Sequence, residues 1–172
     1  SRTEDAEEGA YMELEHGVPS KKEEVACNRG TSMVVKNLFA NVPARMKFLR
    51  KDSTEAGYVT DLMGRIAMSR PDIAFRYICD GKEVFSTSGD GRLKNAILNI
   101  YGIEFAKSIY DVDYEEHGVH VFGAAGKSET ARGNRTRQTL FVNGRYIKNH
   151  VIAKVIEEAY RNVLMVGRFP FF

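Results

Sequence analysis

Cysteine is nearly absent from this chain, and the two that occur are poorly placed for chemistry. Cys27 and Cys79 have neither the spacing of a zinc site nor the density of a disulfide scaffold, and they read as two reduced thiols of a cytosolic protein. Long apolar runs are missing as well: no stretch approaches the ~20 residues of a membrane span. The opening residues are acidic rather than basic and apolar, unlike a signal peptide. The sequence contains no internal repeat and no low-complexity tract. His16, His117, His120 and His150 are scattered; His117 and His120 lie three apart beside Glu115 and Glu116, but around a turn, which does not give a metal pair its geometry. Asp111, Asp113, Glu115 and Glu116 alternate with Tyr110, Val112 and Tyr114, reading as the solvent face of a strand rather than as catalytic carboxylates. No Ser-His-Asp or Cys-His pairing stands at a meaningful spacing.

What is present is an ordinary globular composition with an uneven charge distribution. The 172 residues, 43% hydrophobic and 28% charged, suit one domain with a sizeable core and a piece of another. The net charge of +2 conceals a segregation. Residues 1–30 carry eight acidic against four basic side chains. Residues 36–51 hold Lys36, Arg45, Lys47, Arg50 and Lys51 with no acid, and residues 126–150 hold Lys127, Arg132, Arg135, Arg137, Arg145 and Lys148 against Glu129. Two basic blocks in a nearly neutral chain are the footprint of polyanion contact, although a basic block can also be a solvated face.

The apolar periodicity predicts a short strand at Tyr11–Glu15, a loop from Gly17 to Asn28, and a strand over Thr31–Phe39 with Met33, Val35 and Leu38 on its inner face. Pro43 then breaks the extended run. Helical spacing of Tyr58, Val59, Leu62, Met63, Ile66 and Ala67 predicts a helix over 53–69, capped by Asp52 or Ser53 and stopped by Pro71. Strands over Ile73–Cys79 and Glu83–Thr87 flank the hairpin signal Asp80-Gly81. A helix over 93–101 ends at Gly102. A hairpin follows, of Ile109–Tyr114 and Val119–Gly123 about Glu116-His117-Gly118, then a strand over Thr139–Val142 turning at Asn143-Gly144, and a last helix from His150 to Leu164. This order predicts an α+β two-layer sandwich, helices on one face of a mixed sheet, burying Leu62, Ile66, Val155 and Ile156.

Two motifs carry more information than the pattern. The first is Gly30-Thr31 followed by Asn41-Val42-Pro43-Ala44-Arg45-Met46-Lys47-Phe48-Leu49; the second is Gln138-Thr139-Leu140-Phe141-Val142-Asn143-Gly144-Arg145. In this order and at this distance they resemble the MutL family of DNA mismatch repair proteins, whose N-terminal region reads G-T, then N-x-P-A-R-x-K-F-L, then Q-x-x-F-V-N-G-R. The likeness runs from about Gly30 to Pro170. It implies a member of the GHKL ATPases, relatives of gyrase B and Hsp90, and a second domain of the fold first named from ribosomal protein S five, domain 2. The family's ATP-site elements (a helix with Glu and Asn, D-x-G-x-G, a Gly-rich lid) do not occur here. The resemblance therefore leads us to expect a piece cut at both ends: residues 1–50 as the closing edge of the ATPase domain with its junction, and 51–172 as the transducer domain, short of its final strands. It implies no catalysis by this chain alone, ATP and magnesium in the parent, a homodimeric parent, DNA and the mismatch-recognition protein MutS as partners, and a cytoplasmic, nucleoid-associated place in a bacterium.

Site residues follow from the same resemblance. Thr31 matches a residue lining the nucleotide pocket. Pro43–Leu49 falls at the junction of the two domains, where Phe48 and Leu49 would be packing anchors and the segment would also relay closure. Arg135, Arg137, Arg145 and Lys148 form the DNA-binding candidate. The first two stand two apart in what should be extended chain, pointing to one side, and guanidinium forks suit phosphate oxygens. Phosphate contacts hold DNA without reading it. Arg145 has a second reading, as a brace for the Asn143-Gly144 turn. A different class of function stays open throughout: a coupling or dimerisation domain of a topoisomerase- or Hsp90-like ATPase that never touches DNA.

Overall fold

Every hairpin of this protein is closed by a residue and a glycine that both take positive φ. In the computed structural model, which describes residues 1–172, these turns are His16-Gly17 (53° and 85°), Asp80-Gly81 (49° and 72°), His117-Gly118 (50° and 76°) and Asn143-Gly144 (50° and 75°). Two successive positive φ values give a turn whose twist matches that of the strands it joins. The strands so joined are β1 (Gly9–Glu15) with β2 (Val18–Val25), β3 (Arg76–Cys79) with β4 (Lys82–Ser86), β5 (Ile109–Glu116) with β6 (Val119–Gly126), and β7 (Leu140–Val142) with β8 (Arg145–Ile147). Five α-helices, α1 (Pro43–Met46), α2 (Asp52–Ser69), α3 (Leu93–Tyr101), α4 (Ile103–Lys107) and α5 (His150–Ala159), and one 3-10 turn at Ser128–Thr130 complete the set. No helix is long and apolar enough to cross a membrane.

The α+β class stands, with one correction to its pairing. The strands form four separate two-stranded antiparallel ladders rather than one mixed sheet. Each hairpin closes over a two-residue turn, whereas a ladder between hairpins must close a long loop first. The segment expected as a loop after Gly17 is strand β2, and Pro19 is accommodated opposite Leu14, where the register shifts. The strand expected over Thr31–Phe39 does not form: Met33, Val35 and Leu38 are exposed, and Asn37 and Phe39 take φ of 50° and 70°.

The chain divides into two compact units, Ser1–Asp52 and Ser53–Phe172. In the first, β1 and β2 pair along their full length and Arg2 bridges Gly30. Phe48, expected as an anchor, is 85% exposed. In the second, a core gathers Met68 of α2, Ile97 of α3, Ile109 of β5 and Phe171, with Leu93, Ile100, Tyr101, Phe105 and Ala124 against it. Gly102 (φ 92°) ends α3, donating its N–H to the Leu98 carbonyl at 2.8 Å, and directly begins α4. The buried face of α2 is Gly64, Ala67 and Met68 rather than Leu62 and Ile66, which are exposed. Small side chains allow close approach: a Cβ on Gly64 would lie 3.5 Å from Ile100 Cγ2. Val155 of α5 is likewise exposed and Ile156 only half-buried.

The last four residues, Phe169-Pro170-Phe171-Phe172, thread between the end of β6 and the loop that follows it. Phe169 pairs with Arg132, Gly126 N–H donates to the Phe171 carbonyl at 2.9 Å, and Thr139 N–H donates to the Phe172 carbonyl at 2.7 Å. The Phe171 ring meets those of Phe105 and Tyr101 edge-on, at 4.9 and 5.8 Å. Gly126 is required there, because an added Cβ would collide with Thr130 and come within 2.9 Å of Phe171 Cβ.

Candidate nucleic-acid interface

The basic block of residues 126–150 folds as a loop, a hairpin and a helix start. Asn134 organises the loop: its side-chain oxygen accepts from Thr136 N–H at 3.2 Å and from the Thr136 hydroxyl at 2.6 Å. Gln138 N–H then donates to the Arg135 carbonyl at 3.1 Å, so residues 135–138 form a turn and not extended chain. Arg135 and Arg137 are consequently sent to different neighbours. Arg135 forks onto Glu157 of α5, through Nε to Oε1 at 2.7 Å and Nη2 to Oε2 at 3.0 Å, and lies 4.1 Å from the Phe169 ring centre. That bond holds the Glu157 carboxyl below the usual range.

Arg137 turns inward instead. Its guanidinium stands 4.8 and 5.0 Å from the ring centres of Phe105 and Tyr101, and its buried Nη1 has no hydrogen-bond partner. Burial lowers its pKa, reinforced by nearby Arg132. Arg137 thus serves the aromatic cluster.

The other two candidates face solvent. Arg145 opens β8 opposite Val142, exposed and without an ion pair, and nothing in its surroundings braces the turn. Lys148, between β8 and α5, lines an open groove of about 570 Å³ together with Arg135, Gln138 and His150. α5 is capped by Asn149, whose side-chain oxygen accepts from Val151 N–H at 2.9 Å and Ile152 N–H at 3.1 Å.

The groove also contains a cation that the sequence did not reveal. Arg65, on α2, reaches across to donate to the Thr136 carbonyl at 3.2 Å and stacks 5.2 Å from the ring centre of Tyr146. The four predicted residues therefore do not form one cluster. Arg135 and Lys148 share a groove with Arg65, Arg145 stands on the neighbouring hairpin, and Arg137 is withdrawn. Glu157 was also missed. No local signal marks either residue, because Arg65 and Glu157 meet the loop from helices far away in sequence.

Thr31 is exposed in the first unit, its hydroxyl 2.8 Å from that of Ser1. One exposed hydroxyl with exposed neighbours makes no walled nucleotide site, so the residues of this chain do not by themselves fit ATP. No group of three or more metal-ligating side chains is present.

The family model described as "DNA mismatch repair protein, C-terminal domain" matches residues 97–172. The chain is 39% identical to the DNA mismatch repair protein MutL of Staphylococcus saprophyticus over 96% of its own length, and 39% identical to that of Agathobacter rectalis over 99%. It spans about a quarter of the length of these curated relatives, 25% and 26%. In structure it is similar to the Aquifex aeolicus MutL ATPase domain complexed with ADP, at a TM-score of 0.72 and 25% identity, covering 99% of this chain and 64% of that one. The fold is thus that of the GHKL-type proteins of DNA repair. Within that class the chain belongs to the MutL family of DNA mismatch repair proteins.

Proposed function

We propose that this chain is the part of an ATP-switched mismatch repair protein that couples nucleotide state to the grip on DNA. In this reading residues 1–50 close the ATPase domain, with Thr31 facing the nucleotide once the rest of that domain surrounds it, and residues 51–172 are the transducer. ATP and magnesium belong to the whole protein. So do its homodimer, its engagement of MutS and its cytoplasmic, nucleoid-associated setting, whereas the chain alone performs no hydrolysis. The observation that carries the DNA contact is the groove where Arg65, Arg135 and Lys148 come together, with the exposed Arg145 nearby. Such cations contact phosphates irrespective of sequence, as suits a factor that must act wherever a mismatch lies.

Salt dependence of DNA binding tests this. Lys148→Glu and Arg145→Glu should weaken binding to all sequences alike, each lowering the slope of log affinity against log salt by about one unit, and should leave basal ATP hydrolysis of the whole protein near its normal rate. A specific observation favours a second reading, a coupling domain that does not touch DNA: Arg135 and Arg137 are already engaged within the protein. Unchanged DNA affinity in both folded variants at low salt would select that reading.

A further inference from the structure

Three donors converge on one carboxylate at the edge of the groove. Arg135 offers Nε and Nη2 to Glu157 at 2.7 and 3.0 Å, and Gln138 adds Nε2 to Oε1 at 2.9 Å. Arg135 and Gln138 line the groove that holds Lys148, whereas Glu157 lines a separate cavity of about 390 Å³ on α5. The Glu157 side chain is 18% exposed, against 55% for Arg135. The carboxylate thus approaches the fork from the helix side while the guanidinium remains open to the groove. A carboxylate and a phosphate present the same feature to such a fork, a pair of anionic oxygens.

We propose that Glu157 is an internal stand-in for a DNA backbone phosphate. DNA entering the groove takes over Arg135 and Gln138, and Glu157 restrains affinity by competing for them. This rests on the DNA-binding reading above and adds its regulation. The exchange is anion for anion, so the loop need not lose its order: the Asn134 bonds and the stacking of Arg135 on Phe169 can persist in both states.

The competition has a thermodynamic signature. When DNA displaces Glu157, the phosphate releases a counterion while the freed carboxylate recruits a cation, so the two effects cancel in the salt slope. Glu157→Gln removes the recruitment. In the purified protein with a short duplex of scrambled sequence, this variant should bind about tenfold more tightly at low salt, the scale of one charge-assisted contact. Its salt slope should be steeper by about one unit. Adding Arg135→Ala to it should abolish both gains. Glu158→Gln removes the same charge from the exposed partner of Arg161 and should leave the slope unchanged. A Glu157→Gln variant that behaves like Glu158→Gln overturns the proposal, provided that Lys148→Glu weakens binding; if Lys148→Glu is also without effect, the DNA reading itself fails. In the unmodified protein, the Arg135 Nε–H resonance should move when DNA is added, and an unmoved resonance at saturation overturns the proposal whether or not the variant folds.

Discussion

Between Ser1 and Asp52 the only buried residue is Gly9, whereas the unit from Ser53 to Phe172 holds the whole apolar core, with Ala67 at 0% and Ile97 at 1% exposure. Both units have the same kind of hairpin, although the strands of the smaller one are poorer in apolar residues. They differ in whether a second layer covers the strands. In the larger unit β5 lies beneath α3 and the tail, and Ile109 is buried; in the smaller one Met12, Leu14 and Val18 stay in solvent. Turn geometry is therefore enough to make a ladder, and a cover is needed to make a core.

This contrast predicts very unequal sensitivity to substitution. Phe171→Ala should destabilise most, by about 3–5 kcal/mol, because it empties the centre of the aromatic cluster; thermal unfolding of the chain measures it, and a small shift would mean the tail is not part of the core. Gly126→Ala should cost about 1–3 kcal/mol by forcing Thr130 and Phe171 apart, read by the same melt.

A smaller effect comes with pH. Because Arg135 lowers the Glu157 pKa beneath the ordinary 4.5, the pair's contribution is fully present above that value and lost as pH falls through the lowered one. It should be no more than about 1 kcal/mol for so open a partner. The stability difference between the wild type and Glu157→Gln should accordingly shrink on acidification below 4.5. Phe48→Ser, in the uncovered unit, should change stability by less than about 0.5 kcal/mol; a large loss would show that the first unit has a cover of its own.

Local chemistry was legible in the sequence wherever a structure closes on itself. Asp80-Gly81, His117-Gly118 and Asn143-Gly144 announce their turns, and Gly102 its helix end. His16-Gly17 is the same device, but the polar stretch and Pro19 behind it disguised the returning strand. Thr31–Phe39 failed for the opposite reason: its alternation is that of a strand, and a strand exists only with a partner. On α2 the apolar stripe includes the buried Ala67, but bulk does not mark the inner face: Gly64 is buried while Leu62 and Ile66 are exposed. At the basic block, residue types and positions were legible but directions were not. Two hydrogen bonds accepted by the Asn134 side chain, with the Gln138 N–H bond to the Arg135 carbonyl, convert an expected extended segment into a turn and separate Arg135 from Arg137. α1, α4 and β8 are too short to show a period.

The tail of this chain also has a bearing on the order of events during synthesis. α2, α3 and the hairpins β3–β4 and β5–β6 are built from neighbours in sequence and can form as they emerge. Met68, Ile97 and Ile109 nevertheless share their cluster with Phe171, which the ribosome adds long afterwards. Until then the apolar side of this unit stands open, and a nascent chain paused before Phe169 is a ready client for chaperones. The cluster built by Met68, Ile97 and Ile109 closes only once the Phe171 ring has joined it.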